Sequence, residues 1–297
     1  MKSKRKNLFA PLCQLQLPSH CGPCSLSGCL FILGISANQR QLAAAAGRPV
    51  SVFIHGVDEQ GLRRAARAFD VKSEFVLSHN QDKGREFARR LRVHLRQGNP
   101  AILLTKHFEH WVAVIGYLAK QRKYIIVDPK EKHNVFFRWS EVRLLRNAWN
   151  VTDEPESGEP SQYFAILLSR RDGQPPKWQI TESWLRLCER GSAGTAEGMA
   201  NDLAEIAALS SPDDRDIEEG PYLAEFLEEN EELIIDGITH WASGNGDRTR
   251  GDLRTLYRDY TTVASSSGIR IAPDADRVSL VAQLTAILSS YWWGAQF

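Results

Sequence analysis

Three of the five cysteines in this chain lie within the segment HCGPCSLSGC, which spans positions 20–29 of 297 residues. Cysteines this close together suit a metal site, a disulfide or a nucleophilic thiolate. A zinc site needs a second ligand pair, and no distant CxxC or HxxxH completes the set, so we predict no metal and no cofactor. A redox CxxC is disfavoured because the flanking residues lack the strand-then-helix context of thioredoxin-like motifs. A nucleophilic cysteine is the remaining interpretation.

Cys21 is the candidate nucleophile because it stands where Pro23 predicts the start of a helix. The helix dipole and the unpaired N–H groups of the first turn would stabilise a thiolate there. Gly22 would let a substrate carbonyl approach the backbone. A side-chain donor a few residues upstream would supply a second hydrogen bond to the developing oxyanion, and both Gln16 and Gln14 qualify.

A thiolate nucleophile needs an imidazole and a group that orients it. His110 opens the apolar run HWVAVIGY, and Asp128 ends the next one, IIVD, before Pro129. If these two strands pair antiparallel, the start of the first lies beside the end of the second. The sequence therefore predicts that His110 and Asp128 are neighbours at one end of a sheet, with His107 as the spare imidazole. We expect His20 to be exposed.

Several motifs occur in an informative order: CGPCSL after a glutamine, then GVDEQGLRRAARAF, RQGNPAILL, HWVAVIGY and IIVDP. Together they resemble the papain-like cysteine peptidases of the bacteriocin-processing, double-glycine-leader type, over about residues 12–168. The resemblance implies that Cys21 is the nucleophile, His110 the general base and acid, Asp128 the orienting group, and a glutamine the oxyanion donor. It also implies substrates with small residues, often Gly-Gly, before the scissile bond.

The sequence departs from that family pattern in two places. The family glutamine usually stands six residues before the cysteine, where this chain has Leu15 between Gln14 and Gln16. We assign the oxyanion role to Gln16, with Gln14 as the alternative. Cys24 replaces a small residue of the family, and we interpret it as a buried apolar group. A nucleophilic Cys24 is the rival interpretation, but it would put Pro18 where the glutamine should be.

The predicted elements that must position these residues mix helix and strand, which indicates an α+β fold with N-terminal helices on an antiparallel sheet. Helices are expected at 21–34, 38–47, after Asp58, at about 82–97 and at 140–149 with Ser140 as its cap. Strands are expected at 101–105, 110–118, 123–128, 134–139 and 162–168.

The chain after Trp178 shows only helical patterns. We therefore predict a papain-like peptidase domain over 1–170, a linker over 171–178 and an all-helical accessory domain over 179–297. Helices are expected there at 181–191, 198–210, 220–242, 250–264 and 276–293.

Composition limits the partners. The formal net charge is +1 and hydrophobic residues make up 42%, so neither nucleic acid nor a membrane is an expected partner. The basic N-terminus is not followed by a sustained apolar core, which favours a cytoplasmic protein, with signal-independent export as the alternative. A row of arginines indicates either a dock for an acidic protein partner or inhibitor, or a solvated helix face. These arginines are Arg85, Arg89, Arg92 and Arg96.

The sequence therefore predicts a cysteine endopeptidase that hydrolyses a peptide bond of a protein or peptide substrate through an acyl-thioester on Cys21. A free-standing bacterial protease is the favoured role, and a toxin or defence effector is a further hypothesis. Two alternatives use the same residues: an acyl-transferring enzyme of the transpeptidase or transglutaminase kind, and an inactive peptidase fold that binds peptides.

Overall fold

The computed structural model describes residues 15–47, 49–130, 136–151, 160–190, 193–209, 220–241 and 249–294. The chain divides into two compact units, the first ending at Gly194 and the second beginning at Thr195.

The first unit contains a mixed set of helices and strands. Within the described residues, its helices are α1 (Cys21–Ile32), α2 (Gln39–Ala45), α3 (Pro49–His55), α4 (Glu59–Ala68), α5 (Gly84–Arg96), α6 (Glu141–Ala148) and α7 (Glu182–Arg190). Its strands are β1 (Val71–Ser78), β2 (Ala101–Thr105), β3 (His110–Leu118), β4 (Lys123–Val127), β5 (Phe137–Trp139), β6 (Trp149–Asn150) and β7 (Gln162–Arg170). The predicted α+β class is confirmed.

The strands form one antiparallel sheet in the order β1-β7-β2-β3-β4-β5, and β6 adds to β7. Successive side chains of a strand point to opposite faces, so the sheet has two apolar sides. Alternate strand residues such as Leu103, Val112 and Ile126 form one core cluster with Phe87 and Leu91 of α5. Helices α5 and α6 therefore cover one face, and α1 lies on the other.

Helix α1 is buried along its whole length, unlike the amphipathic helices α4 and α5. Its polar groups find partners in the strands below it. The Ser25 hydroxyl donates to the Trp111 carbonyl at 3.0 Å, and the Cys29 thiol donates to the Ala101 carbonyl at 3.3 Å. These bonds hold α1 against the start of β3 and the start of β2.

Three elements of the first unit were not predicted: β1, α3 and the two-residue strand β6. Strand β1 does not alternate regularly between buried and exposed positions, because only Val71 and Val76 are buried. It pairs along its whole length with β7. Helix α3 buries only Val52, and neither its seven residues nor its composition indicates an amphipathic helix. The N-cap predicted at Ser140 is confirmed, because its side chain accepts from the Arg143 N–H.

The structure divides the chain later than the predicted linker at 171–178. Trp178 is buried, its ring stacks on Phe31 at 5.5 Å, and its N–H donates to the Ile32 carbonyl at 3.2 Å. Trp184 of α7 is also fully buried, 5.8 Å from the Trp178 ring. These aromatic contacts join α7 to the first unit, so the structural boundary follows Gly194.

The second unit is helical throughout its described residues, as predicted. Its helices are α8 (Ala193–Leu209), α9 (Leu223–Glu229), α10 (Glu231–Trp241), α11 (Arg250–Ser267) and α12 (Arg277–Gly294). The single helix expected over 220–242 is two helices that meet at Asn230, whose side-chain amide donates to the Phe226 carbonyl at 2.7 Å. Within the described ranges, none of the helices combines the length and apolar character that crossing a bilayer requires.

Candidate active site

The approach to Cys21 is a tight turn. The His20 N–H donates to the Leu17 carbonyl at 3.0 Å, with Pro18 and Ser19 as the central residues and Ser19 at φ 58°. Proline followed by a residue with positive φ is typical of a type II turn. Helix α1 begins at Cys21 directly after this turn, so the thiol lies in the first helical turn, where N–H groups have no intrahelical acceptor.

The hairpin of β3 and β4 brings the imidazole and the carboxylate together. Ala113 pairs with Val127, so His110 and Asp128 lie at the same end of the sheet. The His110 Nε2 is 2.7 Å from Asp128 Oδ1, and the two side chains are only 6% and 10% exposed. The predicted neighbouring pair is therefore present in the structure.

Cys21 completes the chain of contacts. Burial acts to raise the pKa of its thiol, but hydrogen bonds from the His110 side chain and from the Trp111 and Gly22 N–H groups outweigh it, so the pKa lies below the ordinary value of 9.0. With Nε2 engaged by Asp128, Nδ1 is the His110 ring nitrogen available to the sulfur. The structure thus brings Cys21, His110 and Asp128 into one hydrogen-bonded row.

The pKa values of His110 and Asp128 are also shifted, each in the direction that favours its charged form. Burial acts to lower the pKa of His110, yet its hydrogen bonds and charge interactions with Asp128 and Cys21 raise it above 6.5. Burial acts to raise the pKa of Asp128, but the His110 bond and the Lys130 N–H, 3.0 Å from Oδ1, lower it. Each shift favours a thiolate, an imidazolium and a carboxylate over their neutral forms.

Gln16 is placed beside this row by its backbone. Its N–H donates to the Pro129 carbonyl at 3.0 Å, one residue past Asp128. Among the described residues, its side-chain Oε1 is buried without a hydrogen-bond partner. Gln14, the alternative donor, lies outside the described residues. The geometry therefore brings Gln16 to the catalytic end of the sheet, and its role as oxyanion donor stays a prediction.

Comparisons with known proteins give the family of most of the first unit. Residues 7–154 match the model of the Peptidase_C39 like family. These residues belong to that family. No curated protein matches the chain.

Three solved structures that resemble this chain are peptidase domains or proteases. The peptidase domain of Streptococcus ComA, described as a bifunctional ABC transporter involved in quorum sensing, is 17% identical, with a TM-score of 0.37 over 53% of this chain and 96% of that one. A double glycine motif protease from an AMS/PCAT transporter, in complex with the leader peptide, is 16% identical, with a TM-score of 0.36 over 56% of this chain and 94% of that one. The peptidase domain of Streptococcus mutans ComA is 17% identical, with a TM-score of 0.31 over 55% and 99%.

Gln39 of the Peptidase_C39 like domain is a positioning residue that the sequence analysis missed. It lies in α2, is 9% exposed, and its side chain contacts residues 15–17, which precede the turn. Its Nε2 donates to the Leu15 carbonyl and its Oε1 accepts from the Leu17 N–H, both at 2.9 Å. This two-point contact holds the backbone of Gln16, the residue between them. Glutamine at a helix N-terminus carries no signal of such a role.

The turn before His110 is held in an unusual conformation. Lys106, His107 and Phe108 all have positive φ, between 54° and 69°. Three consecutive non-glycine residues in this region cost backbone energy and persist only where other contacts impose them. The Phe108 N–H donates to Asn150 Oδ1 at 3.0 Å, which ties the turn to β6.

Asn150 is the second positioning residue that the sequence did not reveal. It is completely buried, and its Nδ2 donates to three backbone carbonyls, those of Leu104 at 3.3 Å, Ala148 at 3.0 Å and Gln162 at 3.3 Å. These bonds join the end of β2 to β7 next to the turn that carries His110. A lone asparagine after a short helix gives no sequence signal for this function.

Trp111 and Gly22 form a close contact beside the nucleophile. A Cβ atom on Gly22 would lie 2.4 Å from Val57 Cγ1 and 3.2 Å from Trp111 Cδ1. The indole Nε1 of Trp111 donates to the Val57 carbonyl at 3.1 Å, which fixes the ring over α1. Gly22 is therefore required by packing.

The remaining sequence-predicted residues fall outside the row. His20 was expected to be exposed, but it is only 4% exposed, because its ring packs edge-on against Phe53 and its Nδ1 bonds the Pro18 carbonyl at 2.6 Å. His107 contacts the Val151 backbone instead of Cys21.

The arginine row on α5 makes several contacts within the first unit. Arg92 pairs with Glu141, and the guanidinium groups of Arg92 and Arg96 both lie over the Tyr117 ring. Arg92 and Arg96 therefore take part in packing within the first unit. Arg85 and Arg89 remain exposed at the surface.

Proposed function

We propose that this protein is a cysteine endopeptidase that hydrolyses a peptide bond through an acyl-thioester on Cys21. The observation that carries the proposal is the row Cys21–His110–Asp128, in which every pKa shift favours the charged, reactive form. Membership of residues 7–154 in the Peptidase_C39 like family supports the same chemistry. The first unit would carry the reaction, and the helical second unit would be accessory.

In the acylation step, the Cys21 thiolate attacks the scissile carbonyl carbon. The negative charge moves to the carbonyl oxygen, where the N–H of Cys21 at the helix start and the Gln16 amide would donate hydrogen bonds. His110 then transfers its proton to the leaving amine, and the C–N bond breaks. The product of this step is an acyl-thioester on Cys21.

Deacylation uses the same groups in reverse. His110, now neutral, accepts a proton from water as the oxygen attacks the thioester carbonyl, and the thiolate of Cys21 leaves. Asp128 remains a carboxylate throughout, because its role is to hold Nε2 and so direct Nδ1 at the sulfur. Gln39 and Asn150 act through Gln16 and His110 respectively, as positioning residues.

We propose small residues, such as Gly-Gly, immediately before the scissile bond. The sequence resemblance to double-glycine-leader peptidases implies this specificity, and one solved neighbour is described as a double glycine motif protease. Peptides that differ only in Gly-Gly against Leu-Leu at this position test it. A loss of about 10-fold or more in kcat/KM with Leu-Leu is expected, since single pocket contacts contribute effects of this size.

The whole function is tested by comparing new protein N-termini in bacteria that express the wild type or Cys21→Ala. Cleavage sites present only with the wild type would identify a bacterial substrate and its bond. Cys29→Ser is the matched control, because it alters a buried thiol on the same helix and keeps a donor to the Ala101 carbonyl. Identical N-termini in all three strains, together with no cleavage of peptide libraries by the purified protein, would contradict the proposal.

Two further measurements separate the alternatives. Adding an amine to a peptide reaction and weighing the products distinguishes hydrolysis from acyl transfer, since an amide product replaces the acid in a transferase. Iodoacetamide labelling at neutral pH tests the inactive binding module. If Cys21 reacts no faster than the other thiols, the protein does not hold an activated nucleophile.

A further inference from the structure

We propose that Cys21 and Cys24 are a redox pair, which a small external disulfide converts into a reversible intramolecular disulfide. The inference deepens the proposed function, because the disulfide would consume the proposed nucleophile and switch the peptidase off. It rests on three features of the first turn of α1: spacing, access and charge.

The spacing of the two cysteines permits the bond. Cys21 is the first residue of α1 and Cys24 lies three positions later, so both side chains fall on one side of the first turn. Residues three apart in a helix have Cβ atoms about 5–6 Å from each other, close to the range that a disulfide spans after a small adjustment. Because the pair lies at the helix start, Cys21 can move without breaking an intrahelical N–H bond of its own.

The two thiols differ slightly in access. Both residues are largely buried, and Cys21 is the more accessible one at 9% exposed against 5% for Cys24. An external oxidant therefore meets Cys21 first. This order is the usual one for a CxxC pair, in which the more accessible thiol attacks and the buried one resolves.

The electrostatics of the two thiols are also those of an attacking and a resolving cysteine. The pKa of Cys21 is lowered by His110 and backbone N–H groups against the effect of burial, whereas burial and the charge of Cys21 raise the pKa of Cys24 to about 12. Once Cys21 is bound in a mixed disulfide its charge is gone, so one of the two causes that keep Cys24 protonated disappears. Oxidation at Cys21 thus makes Cys24 a better nucleophile.

The reaction balances as two exchange steps with an external disulfide, RSSR. The Cys21 thiolate attacks one sulfur, forms Cys21–S–SR and releases RS⁻. Cys24 then attacks the Cys21 sulfur, the Cys21–SR bond breaks, and the Cys24 proton leaves with the second RS group as RSH. Two electrons pass from the protein sulfurs to RSSR, and an excess of thiol reverses both steps.

The sequence pattern disfavours a redox pair, because CGPC does not follow a predicted strand. The structure shows that the needed context is narrower. A turn places Cys21 at the start of a helix, and the His110 side chain stabilises its thiolate. The chemistry follows from the helix start and the imidazole.

The test uses the reduced full-length protein, equilibrated without oxygen against glutathione disulfide and quenched in acid. Intact mass, alkylation of remaining thiols and fragmentation of the peptide that contains residues 21–24 then locate any bond. The expected product has lost a pair of hydrogen atoms, carries no glutathione, and returns to the reduced mass with dithiothreitol. A stable glutathione adduct on wild-type Cys21, or no reaction there, would overturn the proposal.

Variants identify the partner. Cys24→Ser should accumulate the mixed disulfide on Cys21, whereas Cys29→Ser on the same helix and Cys13→Ser should behave like the wild type. If Cys13→Ser or Cys29→Ser, instead of Cys24→Ser, accumulates the adduct, the assignment of Cys24 is wrong. Circular dichroism checks that each variant folds, and the fragmentation of the wild type answers the question without any variant.

The readout does not depend on peptidase activity. If the Cys21–Cys24 bond forms but no substrate is cleaved in reducing buffer, the redox pair stands and the proposed function fails. If peptides are cleaved but only the mixed disulfide forms, the proposed function stands and the redox pair fails.

Discussion

Both structural units bury a cluster of polar side chains from distant parts of the sequence, and the two clusters differ in what burial does to them. In the first unit, Cys21, His110 and Asp128 form a row of alternating negative and positive groups. In the second unit, Tyr260 and Tyr291 pack edge-on at 5.3 Å, and the Tyr291 hydroxyl donates to Asp202.

The direction of the pKa shifts separates the two clusters. Burial and the neighbouring groups raise the pKa of both tyrosines, so their hydroxyl groups stay neutral and serve packing. Burial also opposes charge in the first unit, but hydrogen bonds to charged partners outweigh it at Cys21, His110 and Asp128. Burial alone therefore keeps polar groups neutral, and they serve packing. An imidazole between two anionic groups keeps all three groups charged in spite of burial, and they can be reactive.

The largest effect should come from breaking the row at its carboxylate. In Asp128→Asn the amide no longer favours the imidazolium or the correct tautomer, so kcat should fall by about 10²–10⁴-fold. Steady-state kinetics on a cleaved peptide measure this. Asp202→Asn in the second unit is the matched control, and an equal loss of kcat in that variant would contradict the distinction between the clusters.

The pH dependence of thiol alkylation sharpens the comparison at Cys21. Its thiolate is the reactive form, so the iodoacetamide rate at residue 21 should reach half its maximum below pH 9.0. In His110→Ala the stabilising hydrogen bond and charge are lost while burial remains, so the midpoint should lie at a higher pH than that of the wild type. Peptide mass spectrometry gives both profiles, and coincident midpoints would show that His110 does not activate the thiol.

The third prediction concerns the support of the row. Asn150→Ala leaves the Phe108 N–H and three buried carbonyls without their partner, so the free energy of unfolding should fall by about 1–3 kcal/mol. The strained turn before His110 should relax, and kcat should fall by roughly 10-fold with little change in KM. Denaturant unfolding and kinetics measure the two effects. Unchanged kcat in a folded variant would reduce Asn150 to a purely structural role.

The smallest effect is expected in the second unit. Tyr291→Phe removes one hydrogen bond to Asp202, which lowers the free energy of unfolding by about 1 kcal/mol. Peptidase kinetics should not change, because the hydroxyl holds a helix pair and no reacting group. Thermal unfolding checks the first statement, and a loss of kcat would mean that this cluster also serves catalysis.

The chemistry of the site was easier to predict than its support. His110 and Asp128 stand at the ends of two apolar runs that pair as a hairpin, and Cys21 stands at a helix start, so their positions follow from local patterns, whereas the roles proposed for them follow from the family resemblance. Gln39 and Asn150 act by side-chain bonds to backbone atoms far away in sequence, which no local pattern encodes. Strand β1 was missed for a related reason, since its pairing with β7 is purely long-range.

The boundary between the two units also depends on long-range contacts that local sequence patterns do not encode. The segment 171–178 has the glycine and prolines of a linker, and only the packing of Trp178 and Trp184 against the first unit shows that α7 belongs there. A tryptophan can pack into the core of either unit, so the residue type alone does not show to which unit its segment belongs.

The position of β7 has a consequence for how the chain is made. This strand is the last of the sheet to leave the ribosome, yet it lies between β1 and β2, so neither β1 nor the edge next to β2 can be completed until residue 170 has emerged. Such non-local pairing slows folding and prolongs exposure of apolar strands. A nascent chain stalled before residue 162 would contain Cys21, His110 and Asp128 but not β7, so the sheet that supports their contact would stay incomplete until most of the first unit had been synthesised.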